Sequence, residues 1–294
     1  MKKLVMAFSI FGLLFLIAAC GSDESKDSSS ESVLEQLKKD GKVKVGFANE
    51  NPFAYEDENG QLKGAAVEIA TQALNNLGIE EVEGHLSEFG SLIPGLYAGK
   101  FDLITAGMSI TPDRCENVSF GEPEFQSGGG LIVETGNPME LKSYKDVAAN
   151  PDVIIASRSG ATEIDFLKRE GVDESQIMKV PDMAAALSAV ESGRAHTTTA
   201  TEIALTIALE SSNQDKLEIV NDFIQPELEG VPGYSAAAFR IEDDEFREAY
   251  NTELAKLKEE GKIADLITPS GFNAETNIVD VNLTTASICS GENY

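Results

Sequence analysis

The sequence predicts an α/β protein in which mostly parallel sheets are covered by helices. Three observations point there. Short runs with strand-like patterning are followed, repeatedly, by runs with helical spacing. Three of the helical runs stop at a glycine, Gly41, Gly78 and Gly261. The length of 294 residues suits two domains of ordinary size.

Leu34, Leu37 and Lys38-Lys39 predict a short helix ending at Gly41, and Lys42 to Phe47 alternates charged and apolar residues as a strand does. Residues 67–77 have helical spacing, closed by Gly78. Residues 91–97 read as helix and 102–106 as strand; the alternation continues through 153–156, 184–192 and 202–210. The last strong helix spans about 243–260. No segment repeats, and 271–294 reads as an extended, irregular tail.

The amino terminus speaks to location. Met1-Lys2-Lys3 precedes an apolar run from Leu4 to Ala19. That run is shorter than the ~20 residues of a spanning helix and reads as an export signal. Ile17-Ala18-Ala19-Cys20 resembles the lipobox of bacterial lipoproteins. The resemblance implies a signal peptide over 1–19, a lipidated Cys20, and anchoring at the outer face of the cytoplasmic membrane. The alternative is a plain signal peptide with an incidental cysteine. Residues 20–32, rich in Ser and Asp, read as a flexible tether.

Composition excludes several functions. Fifty Asp+Glu against 23 Lys+Arg give a net charge of −27, which argues against nucleic acid and against electrostatic docking on an anionic membrane. Two His and few Cys make no convincing metal site. No nucleophile elbow, zinc-protease helix or phosphate loop is present, and Gly128-Gly129-Gly130 lacks the Lys a phosphate loop needs. His85 and His196 are isolated and read as structural or surface residues. No catalytic residue, metal or cofactor is assigned, and the chain reads as a non-enzyme.

The informative stretch is 99–120, GKFDLITAGMSITPDRCENVSF. Thr111-Pro112-Asp113-Arg114 is a helix start, and Arg114 is a two-pronged carboxylate binder beside the Ser109 hydroxyl. With Asn51-Pro52-Phe53-Ala54-Tyr55 and Phe89 in EFGSLIPGL, this segment resembles the bacterial extracellular solute-binding proteins of amino-acid-type ABC importers (family 3) over about 35–270. The resemblance implies a two-lobed periplasmic-binding-protein fold, type II-like, with the ligand in a hinged cleft. Lobe one would be 33–125 plus 235–294, and lobe two 126–234. It further implies that Arg114, helped by Gly107 and Ser109, grips a carboxylate while Phe53 and Phe89 stack on the ligand body.

Within that family the chain looks most like the ectoine/hydroxyectoine binders. Thr201 stands where amino-acid binders usually hold the ammonium with Asp, and Glu50 beside Phe53 offers a carboxylate for a cyclic amidinium. Thr162 and Glu163, after Ser159-Gly160, are further candidates. Ser109 departs from the ectoine pattern, which has an aromatic there. The implied partners are a small zwitterionic solute, an ABC permease and its ATPase, and a lipid anchor; the chain would be a monomer. Alternatives are a receptor for a polar or cationic amino acid, a dehydratase of a cyclic carboxylate on the same fold, and a sensory domain.

Once Cys20 carries lipid, Cys115 and Cys289 remain, and exported proteins commonly pair such cysteines. The alternative is two buried free thiols.

Overall fold

The alternation of Val43 and Val45 with exposed or half-exposed lysines, ending in Gly46 and Phe47, builds an interior strand of a first sheet, Lys42–Phe47. A computed structural model describes residues 31–212 and 214–291, so the expected signal peptide and Cys20 lie outside the described residues. Ahead of that strand, Ser32 caps the helix Val33–Asp40 through a reciprocal box with Glu35, and Gly41 ends it at φ 64°.

The first sheet runs, in spatial order, Glu81–Leu86, Lys42–Phe47, Leu103–Ile104, Ala238–Phe239, Ser119–Phe120. The second runs Ile177–Val180, Ile155–Arg158, Thr197–Thr201, Gly129–Glu134, Leu217–Ile219. Both faces of each are covered. Leu103 packs with the helices Ala65–Asn76 and Asp244–Glu259, while its neighbour Ile104 packs with Leu92, Leu96 and Phe120. In the second sheet Leu131 and Val133 face one core and Ile132 the other. That period of two is what a strand buried on both sides imposes.

The expectation of mostly parallel sheets needs correction, because each sheet is mixed. Lys42–Phe47 is parallel to both of its neighbours, whereas Ala238–Phe239 is antiparallel to both of its own. Ile155–Arg158 is parallel to its neighbours, whereas Gly129–Glu134 is antiparallel to Thr197–Thr201 and Leu217–Ile219. Ala238–Phe239 follows the strand Gly233–Ser235 with no crossover helix between them. It therefore enters the first sheet from the end at which Leu103–Ile104 leaves it, and runs antiparallel to it. Gly233–Ser235 itself pairs antiparallel with Phe125–Ser127, and these two strands are the chain's passages between the sheets.

The segment expected as an irregular tail is also corrected. Phe272 is buried, 5.5 Å from Phe53 and 5.0 Å from Phe125 between ring centroids. Asn277 exchanges hydrogen bonds with Gln126, and Thr284 caps a short helix, Thr285–Cys289, whose Ile288 is buried. The apolar residues of this stretch follow neither helical nor strand spacing, because they fill gaps in an existing core rather than form a face of their own. A disulfide joins Cys115 to Cys289, with Cα atoms 5.8 Å apart. Among the described residues no helix is long and apolar enough to cross a membrane.

Candidate functional site

In open α/β sheets a ligand site forms where loops leave the carboxyl ends of parallel strands. Four such ends converge here. The loop after Lys42–Phe47 brings Glu50 and Phe53, and the loop after Leu103–Ile104 brings Gly107, Ser109 and Arg114. Strand Ile155–Arg158 ends in Arg158, followed by Ser159-Gly160 and by Thr162 and Glu163 at a helix start. Strand Thr197–Thr201 ends in Thr201, ahead of helix Glu202–Glu210.

Arg114 is set by the four-residue helix Pro112–Cys115, whose Thr111 cap accepts from the Arg114 amide at 3.2 Å. Its Nη1 donates to the Ser109 carbonyl at 2.6 Å, and its Nη2 donates to the Gly160 carbonyl at 2.8 Å. Its Cζ lies 5.5 Å from the centre of the Phe89 ring. Arg158 approaches the same ring at 4.7 Å and pairs with Glu50, Nη1 to Oε2, at 2.7 Å. Glu50, Phe89, Arg114 and Arg158 therefore form one knot of two guanidiniums, an aromatic face and a carboxylate.

Glu50 is almost wholly buried. Burial pushes its carboxyl above the ordinary range, the Arg158 guanidinium pulls it back, and nearby Glu163 pushes it further up. Its Oε1 and the Arg158 Nε are both buried without a hydrogen-bond partner.

Ser109, Tyr144, Thr162, Glu163, Thr201 and Gln225 line an adjoining cavity of about 20 Å³. That is room for about one water. Glu163 is 6% exposed, and its side chain makes no hydrogen bond or ion pair with another described residue. The Thr201 hydroxyl is likewise buried and unpartnered, and Tyr144 is spent on a 2.7 Å hydrogen bond to Thr199. Two polar groups thus face this cavity with nothing from the protein to satisfy them.

Two glycines permit the close approach. Gly107 has φ 61°, and a Cβ there would stand 2.4 Å from the Phe53 ring. Gly160 has φ 81°, and its Cβ would stand 2.8 Å from Gly90 Cα across the cleft.

Of the residues singled out in the sequence, Glu50, Phe89 and Arg114 come together around one point, and Ser109, Thr162, Glu163 and Thr201 around the cavity. Phe53 lies deeper, 2% exposed, with its ring 5.8 Å from Phe125. The sequence reading missed Arg158. Its only local signal is a charge closing the apolar run Val153-Ile154-Ile155-Ala156 just before a glycine turn. Glu83 stands 3.3 Å from His85, and the His196 ring accepts from the Ile154 amide at 2.9 Å; both histidines are away from the cleft. The described residues hold no cluster of metal-ligating side chains.

Known proteins share this fold. The chain is 34% identical over 261 residues to a probable amino-acid ABC transporter periplasmic-binding protein, y4tE, of Sinorhizobium fredii (strain NBRC 101917 / NGR234), covering 87% of this chain and 86% of that one. The structure of EhuB in complex with hydroxyectoine superposes with TM-score 0.80 at 34% identity, covering 88% of this chain and 98% of that one. An ancestral amino acid-binding protein, AncCDT-1, described as a precursor of cyclohexadienyl dehydratase, gives TM-score 0.69 at 28% identity, covering 81% and 99%. These neighbours have the two-lobed architecture that the paired sheets build here. Residues 43–269, which hold every cleft residue named above and both sheets but for Lys42, match one family, and the chain belongs to it: the bacterial extracellular solute-binding proteins, family 3.

Proposed function

We propose that the chain is the receptor of an ABC importer for ectoine or hydroxyectoine. Tethered by lipid on Cys20, it captures the solute outside the membrane and delivers it to the permease and its ATPase. The lobes, 33–125 plus 235–294 and 126–234, would close about the strand pair Phe125–Ser127 and Gly233–Ser235.

The observation that carries the reading is the seating of opposite charges around Phe89. Arg114 stands on one side of the ring, and two carboxylates, Glu50 and Glu163, lie close enough to each other to interact. A planar solute with a carboxylate and a delocalised cation meets complementary groups there. Arg114 takes the carboxylate. Of the two carboxylates, Glu163 is the one not paired with Arg158 and takes the cation, with the Thr162 and Thr201 hydroxyls beside it. The 34% identity to a hydroxyectoine-bound structure supports the choice of solute.

A neutral amino acid such as glutamine is the second reading, favoured by Ser109, which leaves one wall of the cavity without a ring. Calorimetric titration of residues 21–294 with ectoine, hydroxyectoine, glycine betaine, glutamine and arginine tests both. Tight 1:1 binding of an ectoine, lost in Arg114→Ala and Glu163→Ala, is the expected result. Binding of glutamine with ectoine silent replaces the ligand and keeps the receptor role. Turnover of a cyclic carboxylate by the same protein would move the reading to a dehydratase.

A further inference from the structure

Arg158 closes a strand, Ile155–Arg158, that is buried at all four positions, and Arg158 itself is only 8% exposed. A buried ion pair offsets its desolvation only when the geometry is good and the remaining polar atoms are satisfied. The Glu50–Arg158 pair fails that condition. It makes one contact rather than a two-pronged fork, and Glu50 Oε1 and Arg158 Nε are both left buried and unmatched. A pair of this kind is a poor device for stability, so its charge is the property to explain.

Two guanidiniums, Arg114 and Arg158, stand over the Phe89 ring; Glu50 pairs with Arg158, and Glu163 lies close enough to Glu50 to interact with it. Arg158 engages Glu50, so Glu163 is the carboxylate that remains for a ligand's cation, while Arg114 is the residue assigned above to its carboxylate. A solute with one negative and one positive centre is then matched. A second positive centre would meet Arg158 across the Phe89 ring, with no carboxylate available, where low dielectric makes repulsion between like charges strong.

We propose that Arg158 sets the charge selectivity of the cleft: by holding Glu50 it admits solutes with one negative and one positive centre and turns away those with a second positive centre, such as arginine and lysine. The proposal rests on the receptor reading above but not on ectoine being the ligand.

The test is calorimetric titration of glutamine, ectoine and arginine into the wild type, Arg158→Met, Arg158→Lys and the double variant Arg158→Met/Glu50→Gln, with thermal unfolding to establish that each is folded. The wild type should prefer its better neutral ligand over arginine by at least about 10-fold. Arg158→Met, which keeps the apolar contact with Phe89 but releases Glu50, should reverse that preference. Arg158→Lys should keep it, and the double variant should lose the gain for arginine because the released carboxylate is gone. If Arg158→Met does not fold, Arg158→Gln takes its place.

A wild type that binds arginine as well as glutamine and ectoine overturns the proposal. So does a folded Arg158→Met or Arg158→Gln with an unchanged preference, and in both cases the receptor reading stands. A wild type silent toward ectoine but selective for glutamine removes the ectoine ligand and leaves the proposal supported. Silence of every folded variant toward every solute overturns both.

Discussion

Arg114 Nη2 donates a 2.8 Å hydrogen bond to the carbonyl of Gly160, so the side chain assigned to the ligand's carboxylate also ties the first sheet's loop to a turn of the second sheet. Its Nη1 is held in turn by the Ser109 carbonyl at 2.6 Å. The planar fork reaches two carbonyls at once and orients the remaining edge of the guanidinium. Arg114→Lys preserves the charge but not the fork. It should cost about 100-fold in affinity, or ~2.7 kcal/mol, with thermal stability nearly unchanged. Titration beside a melting curve checks this; full affinity in Arg114→Lys would reduce the residue to a point charge.

Gly160 can be tested separately. Alanine there must hold φ near 81° and place a methyl 2.8 Å from Gly90 Cα on the opposite wall. The backbone strain is about 1–2 kcal/mol, and the clash falls on the closed cleft. Gly160→Ala should therefore weaken binding by at least 10-fold and enlarge the ligand-bound radius of gyration in small-angle scattering. A variant that closes and binds like the wild type would show that the walls need not approach so nearly.

Glu124 should give a pH signature. It precedes the strand Phe125–Ser127, and its amide donates to the Ser235 carbonyl at 2.8 Å. Its Oε1 accepts from the Tyr250 hydroxyl at 2.7 Å and from the Ala237 amide at 3.3 Å. Burial pushes its carboxyl up to about 7, against the pull of those two donors and of Lys258. A carboxyl raised on folding binds more protons in the native state, so its contribution is present near pH 4.5 and is lost as pH rises toward 7. The stability of the wild type minus that of Glu124→Gln should fall between about pH 4.5 and 7, by a change on the order of 3 kcal/mol. Urea unfolding at a series of pH values measures the difference; a gap that stays flat would place the ionised carboxylate in a well-solvated site.

The disulfide closes a separation of 174 residues, Cys115 to Cys289. In the chain-entropy picture such a link contributes up to ~5 kcal/mol. Reduction, or Cys289→Ser, should lower the melting temperature by several degrees and loosen the helix Thr285–Cys289. Calorimetry with and without reductant, with mass spectrometry to count thiols, is the measurement. An unchanged melting temperature in fully reduced protein would make the link dispensable.

The fold was legible where the physics is local. Lys42–Phe47, the capped helix Val33–Asp40 and the helix Asp244–Glu259 each announce themselves by spacing and end residues. The direction of Ala238–Phe239 and the burial of Phe272 were not legible, because both depend on partners far away in the chain. The site shows the same division. Thr111-Pro112-Asp113-Arg114 carries its own helix signal, whereas Arg158 acquires meaning only from Glu50, which another sheet brings to it. A lone arginine at a strand end is as easily a solvated terminus.

The order of strands also orders assembly. All five strands of the second sheet come from one uninterrupted stretch, Gly129 through Ile219. The first sheet lacks Ala238–Phe239 until the chain has passed through the other sheet and returned. A polypeptide emerging amino-terminus first therefore has the whole second sheet available while the first, though begun earlier, is still open between Leu103–Ile104 and Ser119–Phe120. The wall that presents Arg114 is the last to be finished, and Cys115 waits beside it for a cysteine near the very end of the chain. A truncated product would thus contain a complete half-receptor and an unsealed one, with an unpaired Cys115 beside the gap.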